Sequence, residues 1–372
     1  MIRILHTADW QIGMRAAHAG ARAAEVRQAR LTSAERVVAL AGSLGAHALV
    51  LAGDTFEDNS VEPVLIRRVA ELLARAACPV LVLPGNHDPL GPGSVYHHPA
   101  WREAAPRVRV LTDETPIELE GAVLLPAPCR AKFSTEDPTR ALARPEFAGR
   151  IRIGVAHGSL RGQGFEPNAD DFPIAADAAE RAGLDYLALG HWHSTLVLPS
   201  LSAARLAYSG THEPTKFGER QSGHALLVTL DAPGRPAKVE IHDTATLRFV
   251  DRQVTLHADE ELARLRAELD ALEAPERILF RLQLDGLLSR EGFDALDDLE
   301  EAARARFLLA RIERDRVEPR PDEKEAWLAA LPDGVARSIA ERLLAESDPA
   351  RQRVARAALS RLVAMARRAQ AS

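Results

Sequence analysis

Seven side chains with oxygen or nitrogen donors stand directly behind short apolar runs. Asp9 and Gln11 follow residues 2–5, Asp54 follows 48–52, Asn86 follows 80–83, His157 follows 151–156, and His191 and His193 follow 186–189. No sulfur donor is among them. A pair of divalent cations ~3.5–4 Å apart needs a bridging carboxylate and two or three further ligands on each ion. Asp54 can bridge, Asp9, Gln11 and His193 can complete one ion, and Asn86, His157 and His191 the other. Mixed carboxylate, amide and imidazole donors suit manganese, iron or zinc, with two Mn2+ ions favoured by the hard oxygens. Asp9 and Gln11, like His191 and His193, are two residues apart, and on an extended backbone such residues share a side. Trp10 and Trp192 are then expected to point elsewhere. Gly53, Gly85, Gly158 and Gly190 each flank a candidate ligand, where glycine permits tight turns and close approach. His87 follows Asn86 directly, so its ring is expected to leave the cations and face a substrate.

The elements that must position these groups are visible as patterns. Runs of four to six β-prone residues bounded by Gly or Pro read as buried strands. Helical patterns lie between them over residues 23–44 and 64–77, with a third expected over 173–182. Strands alternating with helices indicate an α/β architecture, in which ligands collect at the carboxyl ends of strands. Residues 128–150 and 159–172 read as loops. The texture then changes. Strand, helix, strand, helix and strand are expected at 247–256, 259–272, 277–284, 289–306 and 307–317, and residues 322–372 read as all helix. The stretch Glu318-Pro319-Arg320-Pro321 is a plausible boundary.

Taken in order, these motifs resemble the calcineurin-like metallophosphoesterase superfamily. Residues His6-Thr7-Ala8-Asp9-Trp10, Asp185 to His191, and Tyr208-Ser209-Gly210-Thr211 with Phe217-Gly218-Glu219 are similar to the SbcD-type DNA repair nucleases. The resemblance covers residues 1 to about 220 and extends more loosely to about 318. It implies an α/β fold: a two-sheet metallophosphoesterase sandwich flanked by helices, with a small α+β capping domain and a helical C-terminal segment. The corresponding division is residues 1–245 for the nuclease, 246–318 for a DNA-binding cap, and 319–372 for docking an SbcC-like ATPase subunit. It further implies a homodimer and a manganese-dependent DNA exonuclease or endonuclease in repair and recombination, using a two-metal-activated hydroxide. His87 would stabilise the transition state or protonate the leaving oxygen. Asp88 either orients that ring or serves as a turn residue. The family usually has histidine where this chain has Gln11, and glutamine is a neutral, weaker donor, so a looser first ion is expected. The competing readings are a small-molecule phosphodiesterase or nucleotidase on the same core, and a non-catalytic scaffold for an ATPase.

Composition narrows the classes. The chain has 372 residues, 46% hydrophobic and 27% charged, which excludes disorder for most of it. The net charge of −6 argues against a protein that coats polyanions generally, while leaving room for a local basic groove. The last 22 residues hold six arginines (Arg351, Arg353, Arg356, Arg361, Arg367 and Arg368) and no acid, on an amphipathic pattern. That pattern reads either as an end-helix packed on its own domain or as a docking helix. Arg161, Arg205 and Lys216 are weak candidates for phosphate contacts. Only Cys78 and Cys129 are present, no run approaches a membrane span, and the start lacks a signal-peptide pattern, so a cytoplasmic protein with no membrane partner is expected.

Overall fold

The computed structural model describes residues 1–162, 168, 170–320, 328–329, 331–348, 351–352, 354–355, 358–359, 361–363 and 365–366. The chain divides into two compact units, Met1–Leu247 and Arg248–Ser372.

In the first unit, β1 (Ile2–Thr7), β2 (Ala48–Ala52), β3 (Val80–Leu83) and β4 (Val108–Val110) pair in parallel. The chain then builds a second sheet from β5 (Ile117–Leu119), β6 (Ala122–Ala127) and β7 (Ile151–His157). A two-stranded pair, β8 (Ser159–Leu160) and β9 (Pro173–Ile174), follows. The second sheet is completed by β10 (Tyr186–Gly190), β11 (Leu196–Leu198) and β12 (Leu206–Tyr208). The antiparallel strands β13 (His224–Leu230) and β14 (Lys238–Asp243) return to the first sheet. The strand orders are β14-β13-β1-β2-β3-β4 and β11-β12-β10-β7-β6-β5, both mixed.

Alternation along each strand explains the layers. Ile2 and Ile4 of β1, Val50 of β2 and Leu81 of β3 face Leu124, Ile153, Tyr186 and Ala188 of the second sheet. Leu5, Leu49, Leu51 and Val82 take the other face, against α1 (Ala23–Ser43) and α2 (Pro63–Ala74). Pro63 opens α2, where its missing N–H costs nothing. Ile66, Val69, Ala70 and Leu73 recur at the spacing of one helical face and are buried. Both faces of the central strands are therefore covered, which is why those strands read as continuous apolar runs. The expected third helix is mostly absent. Pro173 and Ile174 pair with Ser159 and Leu160, and only Ala178–Arg181 is helical.

The second unit contains three parallel strands, β15 (Arg248–Leu256), β16 (Ile278–Leu288) and β17 (Leu309–Pro319). Helices Asp259–Asp270 and Arg290–Arg306 form the crossovers, giving the strand–helix alternation expected there. Leu265, Phe280, Leu282, Leu299 and Phe307 build its core. A further helix spans Val335–Leu344. Leu359 and Val363 are buried with Leu331, Ala340 and Leu287, so this part of the end-helix pattern packs on its own unit. Much of the all-helix expectation for 322–372, with Arg353, Arg356, Arg367 and Arg368, lies outside the described residues. No helix of the described residues is long and apolar enough to cross a membrane.

Candidate metal centre

Strands β1, β2, β3, β7 and β10 deliver the candidate ligands to one edge of the sandwich. The two sheets are tied there. The His157 Nδ1 at the end of β7 lies 2.9 Å from the Ala52 carbonyl oxygen at the end of β2. The His191 N–H beyond β10 donates to both carboxylate oxygens of Asp9 beyond β1, at 2.9 and 3.1 Å.

The backbone is not extended at these positions, which corrects the two-residue spacing argument. Asp9 has φ 54°, Gln11 41°, Asp54 53° and His191 106°, all in the region that L-residues rarely enter. The chain beyond β1 is pinned to the chain beyond β2: Asp9 N–H donates to Gly53 O at 3.1 Å and Gln11 N–H to Asp54 O at 2.9 Å. These turns, not a pleat, aim the side chains. Such conformations cost about 1–3 kcal/mol each and persist where surrounding structure enforces them, typically at functional sites. Gly53 and Gly85 supply the close approaches. A Cβ on Gly53 would sit 2.1 Å from His157 Nδ1, and one on Gly85 2.1 Å from Asp54 Oδ1.

Asp9, Asp54 and His157 are fully buried, with ligand atoms within 4.8 Å of one another. Asn86 Oδ1 lies 2.9 Å from His157 Nε2 and 3.1 Å from His191 Nδ1. Gln11 is buried on the strand-end turn it shares with Asp9, its backbone N–H on Asp54 O. His193 sets its Nδ1 2.8 Å from Glu219 Oε1; burial works to lower its pKa, but the Glu219 hydrogen bond and then the charge on Asp9 outweigh it and raise it. The His87 N–H donates to Asp54 Oδ1 at 2.9 Å, while its ring leaves the cluster and sets Nδ1 2.8 Å from Glu57 O.

Asp88 does not orient His87. Its carboxylate is wholly buried and accepts from Gly85 N–H (2.8 Å), Phe56 N–H (2.9 Å) and the Tyr96 hydroxyl (2.7 Å). Of its two expected roles, the turn is the one built: Asp88 braces the loop that carries Asn86 and His87. The neighbouring histidines are also elsewhere. His6 bridges the sheets through Tyr186 and Leu189, and His212 packs on Trp10 with Nε2 2.8 Å from Arg30 O. Arg205 pairs with Asp185 and Gly234 rather than facing the cluster.

Three participants escaped the sequence reading. Asp171 Oδ2 lies 3.0 Å from His191 Nε2, and no spacing pointed to it. Glu219 stands behind His193 and belongs to the Phe217-Gly218-Glu219 stretch, which was legible only as a resemblance. Arg30 is buried inside the unit and donates to the carbonyls of Asp9, Trp10, Glu213 and Pro214 and to Thr211 Oγ1. It looked like one more helix arginine among many.

The electrostatics fit a cation. Burial works to raise Asp54, but the nearby His157 imidazole, then the His87 charge and the bond from the His87 N–H, outweigh it and hold the carboxyl well below the usual range. Burial works to lower His157, yet Asp54 and Asp9 raise it to about 9. For Asp9 burial wins and the pKa rises. Asp54 Oδ2 is 3.3 Å from His157 Nε2, in ion-pair range, but no directed hydrogen bond reaches it. A buried carboxylate oxygen without a hydrogen bond is costly unless a cation completes it. With donors confined to oxygen and nitrogen, the residues fit a divalent metal centre.

Comparison with known proteins places this geometry. Residues 2–195 match the calcineurin-like phosphoesterase family model. The chain is 28% identical over 186 residues to the uncharacterized metallophosphoesterase YhaO of Bacillus subtilis, covering 47% of this chain and 43% of that protein. It is 27% identical over 286 residues to the DNA double-strand break repair protein Mre11 of Haloferax volcanii, covering 75% and 60%. The chain thus spans about half the length of these relatives. The longer match exceeds the 247 residues of the first unit and so enters the second. Among solved structures, TT1561 of Thermus thermophilus is 17% identical, covering 65% of this chain and 99% of that one, with a TM-score of 0.42. The phosphoesterase YfkN of Bacillus subtilis is 12% identical, covering 65% and 90%, with a TM-score of 0.39. The family model covers just over half of the chain, so the chain belongs to the calcineurin-like phosphoesterase family.

Proposed function

We propose that this protein is a manganese-dependent DNA nuclease of the SbcD type, the nuclease subunit of an SbcCD-like complex in repair and recombination. The observation that carries the nucleic-acid part is the 286-residue likeness to a double-strand break repair protein, which runs beyond the phosphoesterase unit. On this reading residues 246–318 cap the DNA, residues 319–372 dock an SbcC-like ATPase, and the active form is a homodimer.

A phosphodiester resists hydrolysis because its charge repels nucleophiles and its alkoxide leaves poorly. Two divalent cations held by Asp9, Gln11, Asp54, Asn86, His157, His191 and His193 would lower the pKa of water and neutralise phosphate charge. The remaining chemistry belongs to the chain. Its buried carboxylates and rings are held before substrate arrives, so little reorganisation is needed. The His87 ring is half-buried and tethered at Nδ1 by Glu57 O, so Nε2 is the atom left to meet the phosphate or to give a proton to the leaving oxygen.

One assay tests this. The purified full chain with Mn2+ is given labelled single- and double-stranded DNA beside a chromogenic phosphodiester. DNA cleavage that chelation abolishes is the expected result. Cleavage of the small ester alone would replace the nuclease with a small-molecule phosphodiesterase, and cleavage of neither would leave a scaffold.

A further inference from the structure

The two rings of His191-Trp192-His193 are held by opposite nitrogens. His191 turns Nδ1 to Asn86 and Nε2 to Asp171, whereas His193 turns Nδ1 to Glu219. Their carboxylate partners also differ. Asp171 is about a quarter exposed and, among the described residues, takes its second hydrogen bond from the Ser159 hydroxyl, 2.8 Å from Oδ2. The Glu219 side chain is 5% exposed. Thr215 grips it twice: its N–H donates to Oε2 at 2.7 Å and its hydroxyl donates to Oε1, the atom that meets His193. The same hydroxyl lies 3.2 Å from His193 Nδ1. Neither oxygen of Glu219 is left to rotate, so Nδ1 of His193 keeps the proton and Nε2 keeps the lone pair.

A carboxylate behind a metal-ligating imidazole fixes its tautomer and makes it a stronger donor. The need for one is specific here. If Asp9, Gln11 and His193 share an ion, each ion takes one amide, but this one has a single imidazole, His193, where the other has two, His157 and His191. We propose that Glu219, locked by Thr215, is a positioning residue for His193, presenting Nε2 to the cation and offsetting the weak Gln11 donor at that position. This rests on the two-ion reading of the centre given under the proposed function.

The test is Mn2+ titration by calorimetry on the full chain, beside long-range 15N–1H spectra of the His193 ring in the metal-free protein. Glu219→Gln preserves shape but removes the charge. The expected result is one Mn2+ site weakened about 10- to 100-fold, the other changed less than about threefold, and a His193 spectrum moving from one tautomer to a mixture. Adding Gln11→His to Glu219→Gln should recover most of the lost affinity. Thr215→Val, which keeps the carboxylate but frees it, should give a smaller loss at the same site, and it serves if the first variant fails to fold. Unchanged affinities with an unchanged tautomer in either folded variant would overturn the assignment, as would equal weakening of both sites. A wild-type chain that takes up no second ion would instead remove the two-ion reading beneath it.

Discussion

His87 Nδ1 lies 2.8 Å from the carbonyl oxygen of Glu57. The ring is aimed by backbone, and its own N–H is tied to Asp54 Oδ1. With Nδ1–H given to that carbonyl, Nε2 carries the lone pair of the neutral ring and can give a proton to the leaving oxygen only from the doubly protonated ring. His87→Ala should keep the metal content of the wild type and lower turnover about 100-fold or more. Elemental analysis beside kcat checks this, and equal turnover would take His87 out of the chemistry.

Asp88 braces a loop, so disturbing it should read first as stability. Burial and the nearby Asp54 charge raise its pKa to about 6. Tyr96→Phe removes the hydroxyl that donates to it and should cost about 1–3 kcal/mol in urea unfolding, the range for a lost bond to a buried charged group. Residual kcat should stay within about threefold. A large loss of kcat at unchanged stability would return Asp88 to the catalytic machinery.

Gly85 is where added bulk should do most harm. Its Cβ would lie 2.1 Å from Asp54 Oδ1 and 2.4 Å from the Asp54 backbone nitrogen. Gly85→Ala should therefore displace the central carboxylate and weaken Mn2+ binding by at least 10-fold in a chain that still gives a native circular dichroism spectrum. Gly91→Ala, where φ is not positive and the nearest atom to an added Cβ is Arg130 O at 3.9 Å, is the control for glycine replacement in the same region.

His6 should make stability depend on pH. Burial outweighs its bond to Leu189 O and lowers its pKa to about 3, against an ordinary value near 6.5. Between those values the unfolded chain binds a proton that the folded one refuses. The contribution is therefore complete above pH 6.5 and is lost as pH falls toward 3, by about 1.4 kcal/mol per unit. Chemical unfolding from pH 7 to 4.5 should bring the wild type and His6→Gln progressively together in stability. Parallel curves would mean that His6 is charged inside the fold.

Much of the centre is legible in the order of residues alone, because strand ends in parallel sheets collect ligands and the chemistry-bearing residues cluster there. The apolar runs of β2, β3, β7 and β10 lead straight to a candidate ligand as their next polar residue, and β1 leads to Asp9 after His6 and Thr7. The alternation in the second unit is legible for the same reason of periodicity. What the sequence withholds is of two kinds. One is conformation: Asp9, Gln11, Asp54 and His191 are left-handed, because cross-strand hydrogen bonds impose what local propensity opposes. The other is contact across long separations. Glu219 behind His193, Asp171 behind His191, Tyr96 on Asp88, and Arg30 beneath the Asp9 turn are ordinary residues whose roles arise only when distant segments meet. Residue type and period are written locally and decide which groups are available. Which oxygen faces which nitrogen is fixed by packing, and that belongs to the folded chain alone.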